Sequence, residues 1–305
     1  MIPAPSVLLL GEPGSGKTTS LRTLSMANLE TFVIFLEPAM EIVADVPCPY
    51  MHYQFIRPIT ETLDQMIAQA RTLASTPWDI LTGKSQTSVP INGADRDSLA
   101  APWLHLLSAL KNPTCDRCGK EMGDVTTWGF DRALAIDGLS GINKAAERYL
   151  LGGQINTTNK QIGLVMQSEL TLFGEYLPVN TWCTYVLLGH LRIAYTKATG
   201  ETKKFPHVVG QANVADWARM FNDVVRAVKT GVEFTWSTAS IDADVKGRNL
   251  PISDGLPQDF RPLLTNWWQR AQHTTVDLSA QQQPGAPSAP TNVQPPNSAA
   301  TIPPI

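Results

Sequence analysis

Short apolar runs alternate with amphipathic stretches along most of the chain. The first run, residues 7–10, stops at Gly11, and a helical pattern with Leu21 and Leu24 follows it. Six further runs are predicted strands: residues 31–36, 50–55, 132–137, 182–188, 224–228 and 232–237. Runs that are apolar on both faces are typical of buried parallel strands. The pattern therefore predicts an α/β fold with a mostly parallel central sheet flanked by helices.

Helical periodicity marks segments that lie between these strands. The predicted helices cover residues 17–27, 60–73 with Thr60 as N-cap, 98–110, 212–221 and 260–270. Residues 162–177 are ambiguous, because their Gly-Leu-Val-Met opening also suits a strand. Apolar residues at positions 162, 165, 166, 170, 173 and 177 have helical spacing, which favours a helix.

Composition divides the 305 residues into two parts. Residues 1–271 have the apolar content for one main domain, with a less regular insertion at about 75–130. Beyond Gln272 the chain has seven prolines, no aromatic residue and almost no charge. Such a segment cannot bury a core, so residues 272–305 are predicted to be a disordered tail.

Charge and hydropathy limit the classes of function. The net charge of −3 gives no overall basic field, so a nucleic-acid contact would require a local patch or repeated subunits. No apolar run approaches the roughly 18 residues needed to span a bilayer, and the first strand follows Met1 too closely for a signal peptide. The four cysteines are too few for a disulfide framework. We therefore expect a soluble protein of the cytoplasm, without a membrane partner.

A glycine-rich loop between the first strand and first helix carries the most specific motif. Three glycines allow a tight turn whose N–H groups contact phosphate, Lys17 would reach the β- and γ-phosphates, and Thr18 would offer its hydroxyl to Mg²⁺. This strand, loop and helix match a Walker A segment and predict ATP and Mg²⁺ as cofactors. The predicted binding residues are Gly11, Glu12, Pro13, Gly14, Ser15, Gly16, Lys17, Thr18 and Thr19.

Polar residues follow three other predicted strands. Because the carboxyl ends of parallel strands meet at one edge of a sheet, Glu37, Asp137 and His190 are expected beside the loop. Asp137 would hold Mg²⁺ together with Thr18. Glu37 is the predicted base that activates water. Glu41 is the alternative base. If residues 162–166 formed a strand, Gln167 rather than His190 would be the polar residue at the strand end.

The predicted insertion contains the motif Cys115-x-x-Cys118-Gly-Lys, which has the tight-turn form of a zinc knuckle. A closed zinc site needs four ligands, and no second motif of this kind is present. Cys48, His52, His105 or a neighbouring subunit are candidates to complete the set. A metal-free turn and a redox pair are the alternatives.

With the glycine loop and the three strand ends in this order, residues 4–265 resemble the RecA-like P-loop ATPases. Within them the chain is similar to phage ATP-binding, AAA-type proteins described as single-strand annealing or recombinase-like. The resemblance implies that Glu37 activates the attacking water and that His190 senses the γ-phosphate. It also implies that Lys246-Gly-Arg248 enters the ATP site of a neighbouring subunit, in a head-to-tail ring or filament.

The function that this resemblance implies is Mg·ATP hydrolysis coupled to single-stranded DNA in phage recombination or replication. Lys197, Lys203 and Lys204 are candidates for phosphate contacts, or form a solvated hairpin. A second hypothesis is a nucleotide-gated module that loads partner proteins through its tail and hydrolyses ATP slowly. A third is a DNA motor, either a helicase or a packaging ATPase.

Overall fold

The computed structural model describes residues 2–57, 62–77, 79, 96–151, 158–196, 201–209, 214–239 and 243–280. Within them nine strands form one sheet. The strands are β1 (Ser6–Gly11), β2 (Glu30–Phe35), β3 (Met51–Phe55), β4 (Arg132–Asp137), β5 (Thr184–Thr196), β6 (Glu201–Pro206), β7 (Asp223–Thr230), β8 (Glu233–Ser237) and β9 (Leu256–Pro257). Their order is β3-β2-β4-β5-β1-β7-β8-β9, and β6 pairs with β5.

The six strands from β3 to β7 in this order are parallel to one another, whereas β8 and β9 add antiparallel pairs at one edge. The prediction of a mostly parallel sheet flanked by helices is thus confirmed. In the register of the sheet, Gly11 lies beside His190, and Phe35 lies beside Asp137. The carboxyl ends of β1, β2, β4 and β5 therefore reach the same edge.

Helices cover both faces of the sheet. They are α1 (Lys17–Ser20), α2 (Arg22–Met26), α3 (Leu63–Ser75), α4 (Arg96–Lys111), α5 (Leu139–Leu151), α6 (Asn159–Glu169), α7 (Leu177–Asn180), α8 (Val214–Met220) and α9 (Phe260–Ala280), with a π-helical turn at Leu170–Tyr176. None of the helices among the described residues combines the length and apolar character required to cross a membrane.

Alternate residues of each central strand supply two separate apolar layers, as the period of two along a strand requires. Leu8 and Leu10 face the layer under α4, α5 and α6, while Val7 and Leu9 face the layer under α1, α2 and α9. Trp103 of α4 lies in the first layer, so this part of the predicted insertion packs directly on the sheet.

The structure confirms some uncertain predictions and corrects others. Residues 162–177 are helical, as their spacing predicts. The last helix predicted at 260–270 is longer in the structure, where α9 continues to Ala280, past residue 272 at which the tail is predicted to begin. Residues 281–305 and the predicted N-cap Thr60 lie outside the described residues.

A hairpin, one of the alternatives for the basic segment that carries Lys203 and Lys204, is observed, since β5 and β6 pair antiparallel from Leu191 to Pro206. The sequence predicts the end of the preceding strand at Leu188, whereas β5 runs on into this hairpin. His190 therefore lies within a strand rather than after its end. It still lies at the edge of the parallel sheet, beside the last residue of β1.

Candidate functional site

A cleft of about 560 Å³ lies over the carboxyl ends of β1, β2, β4 and β5. Its walls include residues 13–19 of the glycine loop and the first helix. Glu37, Glu41, Asp137 and His190 also line it. The structure thus brings together the residues that the strand-end argument selected from distant parts of the chain.

The glycine loop fits closely against the antiparallel edge of the sheet. Gly16 has a φ of +86°, a backbone conformation that strains an L side chain, and a Cβ there would also meet the side-chain oxygen of Gln258. The Gln258 amide donates to the Ser15 carbonyl at 2.8 Å and to the Thr235 carbonyl at 3.0 Å. Gln258, which the sequence analysis did not select, therefore fixes the loop to β8.

Lys17 forms the positive floor of the cleft. Its Nζ donates to the carbonyl oxygens of Gly11 and Glu12, both at 3.0 Å, and the residue is 7% exposed. Burial lowers the pKa of Lys17, and the nearby charge of Asp137 opposes that shift. The Lys17 ammonium thus lies in the hollow of the loop, and within the described part of the chain its hydrogen bonds go to carbonyl oxygens, which a stronger acceptor can replace.

Asp137 ends β4 directly opposite Thr18. The Thr18 hydroxyl donates to Oδ2 of Asp137 at 2.6 Å, and Asp137 is 6% exposed. Burial raises the pKa of Asp137 to about 6. A buried carboxylate beside a hydroxyl is a suitable pair of oxygen ligands for a divalent cation.

Glu37 and His190 meet across the end of the intervening strand β4. Nε2 of His190 lies 3.1 Å from Oε2 of Glu37, and the Ser140 hydroxyl donates to the other carboxylate oxygen. A Cβ on Gly138 would lie 3.1 Å from Cγ of Glu37, so this glycine leaves the space for Glu37 to cross. The hydrogen bond from His190, with that from Ser140, lowers the pKa of Glu37 to about 2 despite partial burial.

Ser140 is a residue that sequence reasoning missed. It lies in the first turn of α5, three residues after Asp137, and so belongs to the same strand-end region. Its closeness to Asp137 in the sequence was the signal that could have identified it as a residue of the cleft. The alternative sensor Gln167 lies exposed on α6, where its amide donates to Thr171, and it is absent from the walls of the cleft.

Lys246 and Arg248 are not brought to the cleft of their own chain. Lys246 pairs with Val224, at the amino end of β7, whereas the glycine loop lies at the carboxyl edge. Nζ of Lys246 donates to the carbonyls of Ala218 and Arg219, which end α8. Arg248 is exposed.

The basic segment of the β5–β6 hairpin is only partly described. Lys197 lies outside the described residues, and of Lys203 only the backbone is described, paired with Ala194. Lys204 lies 3.5 Å from the carboxylate of Glu12. One cation of this segment therefore lies against the glycine loop.

A second group of polar side chains lies at the opposite, amino edge of the sheet. Cys48, His52, Cys115 and Cys118 each offer one ligand atom, and these atoms all lie within 4.8 Å of one another. We call these four residues the Cys/His cluster. Three thiols and one imidazole at this spacing form a possible metal-binding site.

The Cys115–Cys118 turn has the backbone of a metal knuckle. Thr114 and Glu121 form an antiparallel bridge across it, and the N–H of Gly119 donates to the carbonyl of Cys115 at 2.8 Å. Burial would raise the pKa of the Cys115 thiol, but hydrogen bonds from surrounding backbone N–H groups and from His52 lower it to about 6. The site favours a thiolate, the form that binds metals.

Of the three residues proposed to complete the knuckle, the structure selects two. Cys48 and His52 lie in the cluster, whereas His105 lines a separate pocket with Gln54 and Ser108. All four cysteines of the chain are free thiols.

No protein-family model matches the chain, and no curated protein matches it. The chemistry of the cleft and of the Cys/His cluster is therefore the basis for inferring a function.

Proposed function

We propose that the cleft binds Mg·ATP and that the protein hydrolyses it. The observation that carries this proposal is the convergence of Lys17, the Thr18–Asp137 pair and the hydrogen-bonded Glu37 beside one glycine loop. Phosphate recognition requires a cation and free backbone donors, and hydrolysis also requires a base near the γ-phosphate. The cleft offers a candidate residue for each of these roles.

Binding would exchange internal hydrogen bonds for bonds to the ligand. Lys17 would give up the carbonyls of Gly11 and Glu12 for β- and γ-phosphate oxygens. Thr18 and Asp137 are hydrogen-bonded to each other in the structure and would instead hold Mg²⁺. When bound, Mg²⁺ neutralises the negative charge that develops on the phosphates.

Glu37 is the proposed general base. Its carboxylate is ionised at neutral pH and is held from one side by Ser140 and from the other by His190. It would take a proton from water that attacks the γ-phosphate in line. His190, which contacts Glu37 and lies beside Gly11, would report the presence of that phosphate.

We further propose a RecA-like core that assembles head to tail and acts on single-stranded DNA, as the resemblance implies. The position of Lys246 and Arg248 at the edge opposite the cleft supports a contact with the next subunit rather than with their own ATP. We call Lys246 and Arg248 the fingers, the two cations proposed to enter the neighbouring ATP site. Arg248 is the stronger candidate of the two, because Lys246 already donates hydrogen bonds to carbonyls of α8.

The alternatives differ in how ATP hydrolysis depends on DNA. A loading module would hydrolyse ATP slowly and without a response to DNA. A motor would require a translocating part, and no segment in the described portion of the chain suggests one. We rank it last.

ATP hydrolysis with and without single-stranded DNA tests the proposal. Lys17→Ala is expected to lower the rate by roughly 10²- to 10³-fold, since it removes a preorganised cation. Lys160→Ala, an exposed lysine on α6, is the control. A wild-type protein with no measurable ATP binding would refute the proposal, and a rate indifferent to DNA would favour the loading module.

Mixing two inactive variants tests the shared site. Glu37→Ala subunits mixed with Lys246→Ala/Arg248→Ala subunits should recover part of the activity if the fingers act across an interface. Intact assembly with no recovery would exclude these fingers.

We also propose that the Cys/His cluster holds Zn²⁺. Three thiolates and one imidazole are a donor set of structural zinc sites, which take four protein ligands. Metal analysis of the purified protein tests this directly. One zinc per chain is expected, and a protein without metal that retains its fold would refute it.

A further inference from the structure

The Cys/His cluster joins two segments that are distant in sequence, residues 48–52 and residues 115–118. Cys48 precedes β3, His52 lies within β3, and Cys115 and Cys118 belong to the knuckle. β3 is the edge strand of the sheet. The knuckle is bonded to that edge, since Asp116 donates its N–H to the carbonyl of Tyr53 and accepts the N–H of Phe55 through its carboxylate.

The ring of His52 has its two nitrogens in different surroundings. Nδ1 lies 3.6 Å from Sγ of Cys118, whereas Nε2 lies 3.3 Å from Oε1 of Glu30. The residue is 1% exposed, and its ring stacks on Phe32 at a centroid distance of 6.2 Å. The ring therefore has one orientation, with Nδ1 toward the thiols and Nε2 toward a carboxylate.

From this geometry we propose that Glu30 is a positioning residue for the metal centre. It accepts the Nε2 proton of His52 and so selects Nδ1 as the metal ligand. This inference rests on the proposal that the cluster binds zinc. A carboxylate behind a ligating imidazole fixes its tautomer and raises its basicity, and the loss of such a partner typically weakens metal binding 10- to 100-fold.

Glu30 is itself held in place by cations. Lys120, two residues after Cys118, forms an ion pair with its Oε1, and Nε of Arg132 lies 3.2 Å from its Oε2. The knuckle thus supplies Cys118 as a metal ligand and Lys120 as the cation that orients Glu30, the carboxylate behind His52. These contacts give Glu30 a fixed position at the amino end of β2.

The metal centre would also fasten the connection between β2 and β3. Arg117, inside the knuckle, donates to the carbonyls of Ala44 and Val46 in that connection. Earlier residues of the same connection, including Glu41 and Ile42, line the cleft. With metal bound, the knuckle would therefore fix the β2–β3 connection, whose earlier residues form one wall of the cleft.

Zinc affinity of the full chain, measured by competition with a chromogenic chelator, tests the role of Glu30. Glu30→Gln is expected to bind zinc 10- to 100-fold more weakly than wild type. Glu121→Gln, an exposed glutamate of the same loop that bonds to Asn112, is the matched control and should match wild type. Lys120→Ala, which removes an ion pair of Glu30 but leaves the carboxylate, should have a smaller effect than Glu30→Gln.

The imidazole ¹⁵N signals of His52 give a readout that loss of stability alone does not move. In the zinc-loaded wild type, Nδ1 should carry the metal and Nε2 the proton, with the Nε2 proton exchanging faster in Glu30→Gln. Equal zinc affinity of Glu30→Gln and wild type would overturn the inference, as would zinc on Nε2. A wild type that binds no zinc would instead refute the zinc proposal itself.

Discussion

The cleft and the Cys/His cluster lie at opposite edges of one sheet and differ in how their polar groups are paired. In the cleft, Lys17 is bonded to carbonyls of its own loop, and Thr18 is bonded to Asp137. Each pair can open to admit a ligand. In the cluster, four ligand atoms of the protein already converge, which leaves no open coordination position for a substrate. This difference suits the proposed functions, an exchangeable ligand in the cleft and a metal that stays bound in the cluster.

Breaking the cluster should have the largest effect on the stability of the fold. Cys115→Ser removes a proposed zinc ligand that is buried in the first apolar layer, the layer that contains Leu8 and Leu10. Loss of a structural metal belongs to the small class of changes that cost more than about 4 kcal/mol in the free energy of unfolding. Chemical denaturation with zinc present would measure the difference.

Cys183→Ala is the matched control for that experiment. Cys183 is also buried but lies outside the cluster. Its truncation should cost only about 1 to 2 kcal/mol and should be insensitive to chelators. Equal losses of stability in the two variants would contradict a metal at the cluster.

Gly138→Ala is expected to disturb the cleft while leaving the cluster intact. Gly138 has a φ of +123°, and the added Cβ would press on Glu37. Backbone strain of this kind costs about 1 to 3 kcal/mol, and displacement of Glu37 should also slow ATP hydrolysis. Gly255→Ala, with a φ of +71° and no atom within 4 Å of the new Cβ, carries strain without the contact. Hydrolysis lost equally in both variants would argue against a role for the contact.

Mg·ATP binding should depend on pH through Asp137, a residue of the cleft that the Cys/His cluster does not share. Because burial raises the pKa of Asp137 to about 6, Mg²⁺ must displace a proton from it below that pH. Binding at pH 5 should be about tenfold weaker than at pH 7. Without Mg²⁺, the contribution of Asp137 to stability should decrease as pH rises from its usual pKa of 3.8 to about 6.

Asp137→Asn is the control variant for this pH dependence. It should bind Mg·ATP weakly at both pH values and abolish most of the difference between them. Calorimetric titrations at pH 5 and pH 7 provide the measurement. An unchanged pH profile in this variant would mean that another group titrates.

The smallest expected effect concerns the hairpin contact with the loop. Lys204 and Glu12 lie 3.5 Å apart, and the Glu12 side chain is 64% exposed. Exposed ion pairs contribute at most about 1 kcal/mol. Lys204→Ala should therefore change the free energy of unfolding by less than that amount, and a larger loss would show that the hairpin helps to hold the loop.

Much of the cleft could be predicted from sequence, because it follows from local rules. Apolar runs identify the strands, and parallel strands place their carboxyl ends together. This was enough to select Glu37, Asp137 and His190. Helical spacing also gave the correct structure for residues 162–177, which removed Gln167 as a strand-end residue.

The rest depends on contacts that no local pattern encodes. Cys48 and His52 lie more than 60 residues from the knuckle, and only its bonding to the edge strand β3 distinguishes them from His105. The role of Glu30 requires knowledge of which nitrogen of His52 faces it.

ATP binding and single-turnover hydrolysis by Glu37→Gln test the central claim most directly. Glu41→Gln, on the same wall of the cleft, is the control. We predict that Glu37→Gln binds ATP within about threefold of wild type but hydrolyses it at least about 100-fold more slowly, as loss of a general base requires. If Glu37→Gln hydrolysed ATP at the wild-type rate, the account would be contradicted. It would also be contradicted if Glu41→Gln, and not Glu37→Gln, lost hydrolysis by about that factor.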